Sequence, residues 1–311
     1  SDALRDRFIV IVTLFLAVAA ITSLVTGAVA MSGDVATYNA AKATLLALGK
    51  SAADLAAPEF YPLRLLRGAV EQIEIIGAVL GILAGFRAAA SERGRQTLAL
   101  IMTRPVAQWQ FLAGKLVAGV GLLAAALAAV FALGALMLEL TSGVGLGGND
   151  LLRIVIVWGV SSVYAAAFFL MSFTLALWFK RPANALLVAF MVWLMLVLVA
   201  PQIGDTLDPD NQVAGGVFQQ LQIPKAEETR IKAGFATFET IRNGIEVSSI
   251  TKHLERFSFA VLGIKGTYTG VALRPILIEK QGDLLWILFT TLGIGGLMFS
   301  RRLKSNRLTK E

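Results

Sequence analysis

Cysteine is absent from this 311-residue chain, which excludes disulfides and thiolate metal sites and removes redox usage as a clue to compartment. Histidine is nearly absent. His253 stands alone with Glu255 as its acidic neighbour, too few ligands for a metal centre, so a solvated or helix-face histidine is expected. Charge is also scarce: 16% of residues are Asp, Glu, Lys or Arg, against 56% apolar and a mean hydropathy of +0.71. That balance disfavours a soluble core and points to the membrane class. A phosphate-binding loop is lacking too. The stretch from Thr44 ends in Gly49-Lys50-Ser51, but Thr44 stands in place of the first Gly of GxxxxGK[ST] and no strand precedes it. No His, Asp or Ser set converges as an integral membrane enzyme would require, so no catalytic residue, metal or cofactor is expected on this chain. Mid-span charges and broken helices, the marks of an ion-driven carrier, are largely missing. The first residues, Ser1-Asp2, include neither Met nor a cleavage site, and native residues are expected before them.

What is present is apolar length. Runs at Phe8 to Ala30, Gly68 to Ala90, Phe111 to Leu138, Leu152 to Phe179, Ala183 to Ile203 and Leu284 to Phe299 read as six spans, most of them near the ~20 residues that cross a bilayer. An all-α membrane protein follows. A mixed segment, 31–67, separates the first two spans, and a long polar segment, 204–282, precedes the last. The latter carries nine basic and nine acidic residues, so it has no net field for a charged substrate. Its amphipathic stretches, with Phe235, Phe238, Phe257 and Phe259, are expected to lie on the membrane or on a partner, the Phe residues forming the core of that layer. Gly77, Gly81 and Gly85 recur every fourth residue in the second span, a face that lets another helix approach closely. It is a candidate dimer interface or path. Glu71 and Glu74, three apart on one helical face, either pair with Arg64 and Arg67 at the interface or line a translocation path.

Charge sets the orientation, because Lys and Arg favour cytoplasmic loops. One side gathers both termini, 87–115 and Lys180-Arg181, with fourteen basic and four acidic residues. It nets +10 and leaves −3 for the other side. Both termini are therefore expected inside, with 204–282 outside, and the basic excess reflects topology rather than nucleic-acid binding.

The polar stretch between the second and third spans carries the most information. It holds Glu92, Arg93, Gly94, Arg95, Gln96, Thr97 and Leu98, then Ala99 to Met102, a helix stop at Arg104-Pro105, and Gly114-Lys115. The composition suits a short amphipathic helix on the membrane face. In order and spacing these residues resemble the first cytoplasmic loop of ABC-2 type permeases, and more narrowly the branch containing the membrane subunit of the nitrous-oxide-reductase maturation transporter. Gln96 departs from the family's usual Gly, and Ala107-Gln108 from its Ser-Arg. The resemblance implies a type V exporter-like permease fold in a prokaryotic cytoplasmic membrane, paired with a second copy or homologue and with two ABC ATPases that hold the ATP and Mg. It implies a coupling helix at about 91–105, with Glu92, Arg93, Gly94, Arg95, Thr97, Leu98, Arg104 and Pro105 seated in an ATPase cleft. Substrate export is the function implied. The long outer segment keeps a second possibility open, a scaffold that drives an outer partner protein without passing a substrate.

Overall fold

Apolar side chains facing lipid leave backbone polar groups no water to bond, so spans must satisfy them internally as helices. The computed structural model follows that rule. It describes residues 7–47, 61–94, 108–142, 145–207, 225–234, 236–264 and 266–300, and among these no strand occurs. Helix α1 is Arg7–Ala47. Helix α2 (62–94) runs unbroken through a 3₁₀ turn Pro62–Leu66, an α turn Arg67–Gln72, a π-turn Ile73–Gly77 and an α segment Ala78–Gly94. Helices α3 (Gln108–Ser142) and α4 (Gly148–Trp178) follow. Helix α5 (182–207) joins Pro182–Trp193, a π-turn Leu194–Val199 and Ala200–Leu207. Then come α6 (Lys225–Gly234), α7 (Ala236–Ser248), α8 (Ile250–Val261), α9 (Leu273–Glu279) and α10 (Gln281–Ser300). Five helices are long and apolar enough to cross a membrane, and α1 adds a shorter apolar portion at Thr13–Val29. About six spans result.

Helix α4 is the central pillar. Two-thirds of its apolar window is buried, against 17% for α5 and 11% for α10. Its start is fixed by Asp150, whose carboxylate accepts from the Gly147 N–H at 3.0 Å, an acid where the helix dipole favours one. The glycine face of α2 meets this pillar. A Cβ on Gly81 would lie 2.5 Å from the Ala165 carbonyl oxygen, and one on Gly85 2.2 Å from that of Phe169. Backbone touches backbone there, so α2 and α4 form one unit around Gly81 and Gly85, whose close approach is used within the chain.

Three boundaries differ from the sequence reading. The first helix continues past the end of its apolar span near Ala30, because Ser32-Gly33-Asp34 interrupts hydropathy without breaking a helix and the Ala-rich stretch beyond continues to Ala47. That extension adds about 25 Å past the apolar run. The second span begins earlier, at Pro62, with Leu63, Leu65 and Leu66 buried. Most significantly, the described residues 249–264 of the polar segment are not a peripheral layer. Ser249 donates to the Leu196 carbonyl at 2.6 Å, placing the α7–α8 turn against the middle of α5, and α8 packs on α2, α4 and α10. Residues Ile250, Leu254, Phe257 and Phe259 are buried. The segment α7–α8 is a helical hairpin whose second arm sits inside the bundle.

Candidate functional site

Two regions carry the polar chemistry, one at each end of α2. At the inner end, Glu92, Arg93 and Gly94 form the last turn of α2. Arg95, Thr97, Leu98, Arg104 and Pro105 lie outside the described residues, as do Gln96, Ala107 and Phe235. Of Glu92, Arg93, Gln108 and Phe238 the backbone is helical. Gly114 and Lys115 fall inside α3, where a Cβ added at Gly114 would meet nothing within 4 Å.

At the outer end, the hairpin arm α8 is held along its whole length. Its last carbonyl, on Val261, accepts from Arg153 Nη1 at 2.7 Å, and Nη2 donates to the Val271 carbonyl. Arg153 is 2% exposed. A cation at a helix C-terminus is favourable and also occupies a carbonyl that no helical N–H reaches. The arm ends in a Schellman turn: Ile264 N–H to Phe259 O at 2.9 Å, Gly263 N–H to Ala260 O at 3.0 Å, with Gly263 at φ +63°. Only Gly fits there, since a Cβ would also press to 2.8 Å from the Tyr61 ring. That packing buries Tyr61 in part and pushes its phenol above the usual range.

The tip of the hairpin meets two widened turns. Pro201 explains the first. It has no N–H, and its ring crowds the Val197 carbonyl four residues back, so α5 opens into the π-turn 194–199 and presents Leu196 O to the Ser249 hydroxyl. The second is the π-turn 73–77 of α2, where the Glu74 carbonyl accepts from Tyr164 Oη at 2.7 Å. Tyr164 has one hydroxyl hydrogen, so Thr251, 3.2 Å away, donates to it. Hydroxyls from α4 and α8 thus bind both irregular turns to one tip.

This geometry separates Glu71 from Glu74. Glu71 pairs with Arg67 at 2.8 Å on an exposed face, as the interfacial reading expected, and Arg67 lies 5.6 Å over the Phe259 ring. Arg64 takes no part in that pair. Glu74 is turned inward to 8% exposure, and among the described residues its Oε1 has no hydrogen-bond partner. Its field neighbours are Glu255, Lys252 and Glu71. Lys252 and Glu255 pair with each other at 2.9 Å.

His253 is not on a solvated face. It is 6% exposed, with Nδ1 2.6 Å from Asp283 Oδ1 and Nε2 2.9 Å from the Val247 carbonyl. Its acidic partner is thirty positions away and not Glu255. Buried Arg153, Glu74 and this pair mean that charged side chains do occur within the helices, while the two π-turns widen α2 and α5 without breaking them. Pro201 and the lone Arg153 in an apolar run were the available sequence signals.

Residues 1–261 match the family model described as ABC-2 family transporter protein. No curated protein matches the chain.

Proposed function

The chain belongs to the ABC-2 transporter family as a multi-pass permease subunit, and on that premise we propose that it converts a push from ATPase subunits at 92–105 into movement of the helical hairpin. The family implies ABC ATPase partners and often a permease pair. The match stops at the family, and nothing supports the narrower nitrous-oxide-reductase branch.

The observation carrying this reading is the continuity of α2. One helix bears Glu92 and Arg93 at one end and the π-turn beside the hairpin tip at the other. Eighteen residues separate Glu92 from Glu74, about 27 Å of helix. Close contact of Gly81 and Gly85 with α4 supports transmission as a rigid body, because backbone in contact with backbone cannot absorb a displacement by side-chain rotation. The π-turn is where a packed helix has a second arrangement available. In this proposal Glu92, Arg93, Gly94, Arg95, Thr97, Leu98, Arg104 and Pro105 seat in the ATPase cleft, ATP and Mg stay on that partner, and the chain itself catalyses nothing. The assembly works as an exporter in a prokaryotic cytoplasmic membrane, with lipid around α5 and α10.

Alanine replacement of both Glu92 and Arg93 in the reconstituted complex tests it. Transport-coupled ATPase activity should fall with the permease still folded; unchanged coupling and assembly would remove the assignment. The 41-residue α1, which continues beyond its apolar portion, favours a second reading in which the subunit moves an outer partner protein. A continuous path between paired permeases supports export, and a sealed interface with a protein bound outside supports the second.

A further inference from the structure

His253 joins three elements at the hairpin tip. Nε2 faces the carbonyl of Val247, in the last turn of α7, where no helical N–H reaches it. Nδ1 faces Asp283 in the first turn of α10, and the Trp286 ring covers the imidazole at 5.2 Å between centroids. A carbonyl oxygen can only accept, so Nε2 carries a hydrogen. A carboxylate oxygen also only accepts, so a contact of 2.6 Å at Nδ1 requires a second hydrogen between the two atoms. Both contacts are hydrogen bonds together only when the pair holds one proton more than neutral His beside ionised Asp. Without it, a nitrogen lone pair and a carboxylate would face each other in a buried site.

We propose that this shared proton is a latch that clamps the helical hairpin to the last span and releases it when lost. With the proton in place, α7, α8 and α10 are tied through one side chain. When that proton leaves, the Nδ1 contact turns repulsive and the tip parts from α10. The surrounding charged groups are Lys252, Glu255 and Arg256 on α8 itself, Asp283 on α10, and Glu74 on α2, whose field partners include Lys252 and Glu255. Lys252 and Glu255 neutralise each other, leaving Asp283 as the partner in direct contact with the ring. The latch does not depend on what the transporter moves.

The absence of cysteine supplies the probe. Ser248, exposed at the tip with a hydroxyl bonded only locally to Ile245 O, becomes a unique thiol as Ser248→Cys in the full chain in lipid nanodiscs. Its rate with a membrane-impermeant maleimide is measured across pH in three backgrounds. Asp283→Asn is the reference, because its amide N–H can donate to Nδ1 while Nε2–H still donates to Val247, keeping both bonds with no extra proton. Dividing by that rate at each pH cancels thiol ionisation. The native pair should give a ratio near one in acid that rises about tenfold in alkali, equivalent to about 1.4 kcal/mol. His253→Ala should give a raised ratio at every pH; His253→Gln, whose single amide nitrogen cannot stand in both ring-nitrogen positions and which does not titrate, gives the same comparison should the alanine variant not fold. A native ratio flat at one would overturn the proton, a His253 variant matching the reference would overturn the latch, and a pH dependence surviving in His253→Gln would assign it to another group.

Discussion

Replacing Gly85 by alanine tests the α2–α4 unit on which transmission depends. The added Cβ would lie 2.2 Å from the Phe169 carbonyl oxygen and 3.0 Å from its carbon. Ordinary contact begins at 3.4 Å, so the helices must separate by about 1.2 Å, and neither neighbour is a side chain that can turn away. Overpacking of this kind costs about 1–3 kcal/mol, while alanine in a helix gains up to ~1 kcal/mol over glycine. Gly121 on α3 is the control: exposed, with nothing within 4 Å of a built Cβ, it receives the same propensity gain with no clash. The difference between Gly85→Ala and Gly121→Ala therefore isolates the clash, and should be about 1–3 kcal/mol against Gly85→Ala. Reversible unfolding of both variants in one detergent, followed by intrinsic fluorescence, measures it. Equal stability of the two would refute backbone contact between α2 and α4, and with it the rigid lever.

Other consequences are local. Arg153→Met leaves the Val261 and Val271 carbonyls without their donor and should cost about 2 kcal/mol or more, seen as faster hydrogen exchange at 259–271, with Arg153→Lys intermediate. Glu71→Gln breaks a solvent-screened pair and should change stability by less than ~1 kcal/mol, whereas Glu74→Gln, in which a neutral amide replaces a carboxyl with an orphaned oxygen, should leave stability equal or higher in the same unfolding assay. A fall in transport with that gain would mark Glu74 as functional rather than structural. The Tyr268 hydroxyl donates to Glu279 and holds that carboxyl below its usual range. Its contribution is thus present above the ordinary Glu pKa and lost as pH falls through the lowered one; Tyr268→Phe should move the Glu279 titration up in a carbon-13 NMR experiment.

The spans were legible because length and hydropathy carry them, and the glycine stripe because its four-residue spacing admits only close packing. The hairpin was not. Lys252, His253, Glu255 and Arg256 lower the hydropathy of α8, and a window along the chain treats each as exposed to lipid. Lys252 and Glu255 pair locally, but the partner of His253, Asp283, comes from thirty positions away, and the end of the arm is held by Arg153 reaching Val261 across 108. Helical spacing likewise put Glu71 and Glu74 on one face, and the π-turn rotated Glu74 out of it. The coupling role of 92–105 rests on the family motif alone, since polar composition by itself fits any cytoplasmic turn.

The central claim is that a push near Glu92 reaches the hairpin tip. Spin labels at Ser248→Cys and Leu140→Cys, the latter exposed near the end of α3, report that distance in the complex with its ATPase. The distance should change between nucleotide-free and ATP-trapped states in an otherwise native chain, and stay fixed when Glu92 and Arg93 are both alanine. A change that persists in the double-alanine chain, or none in the native one, would contradict the account.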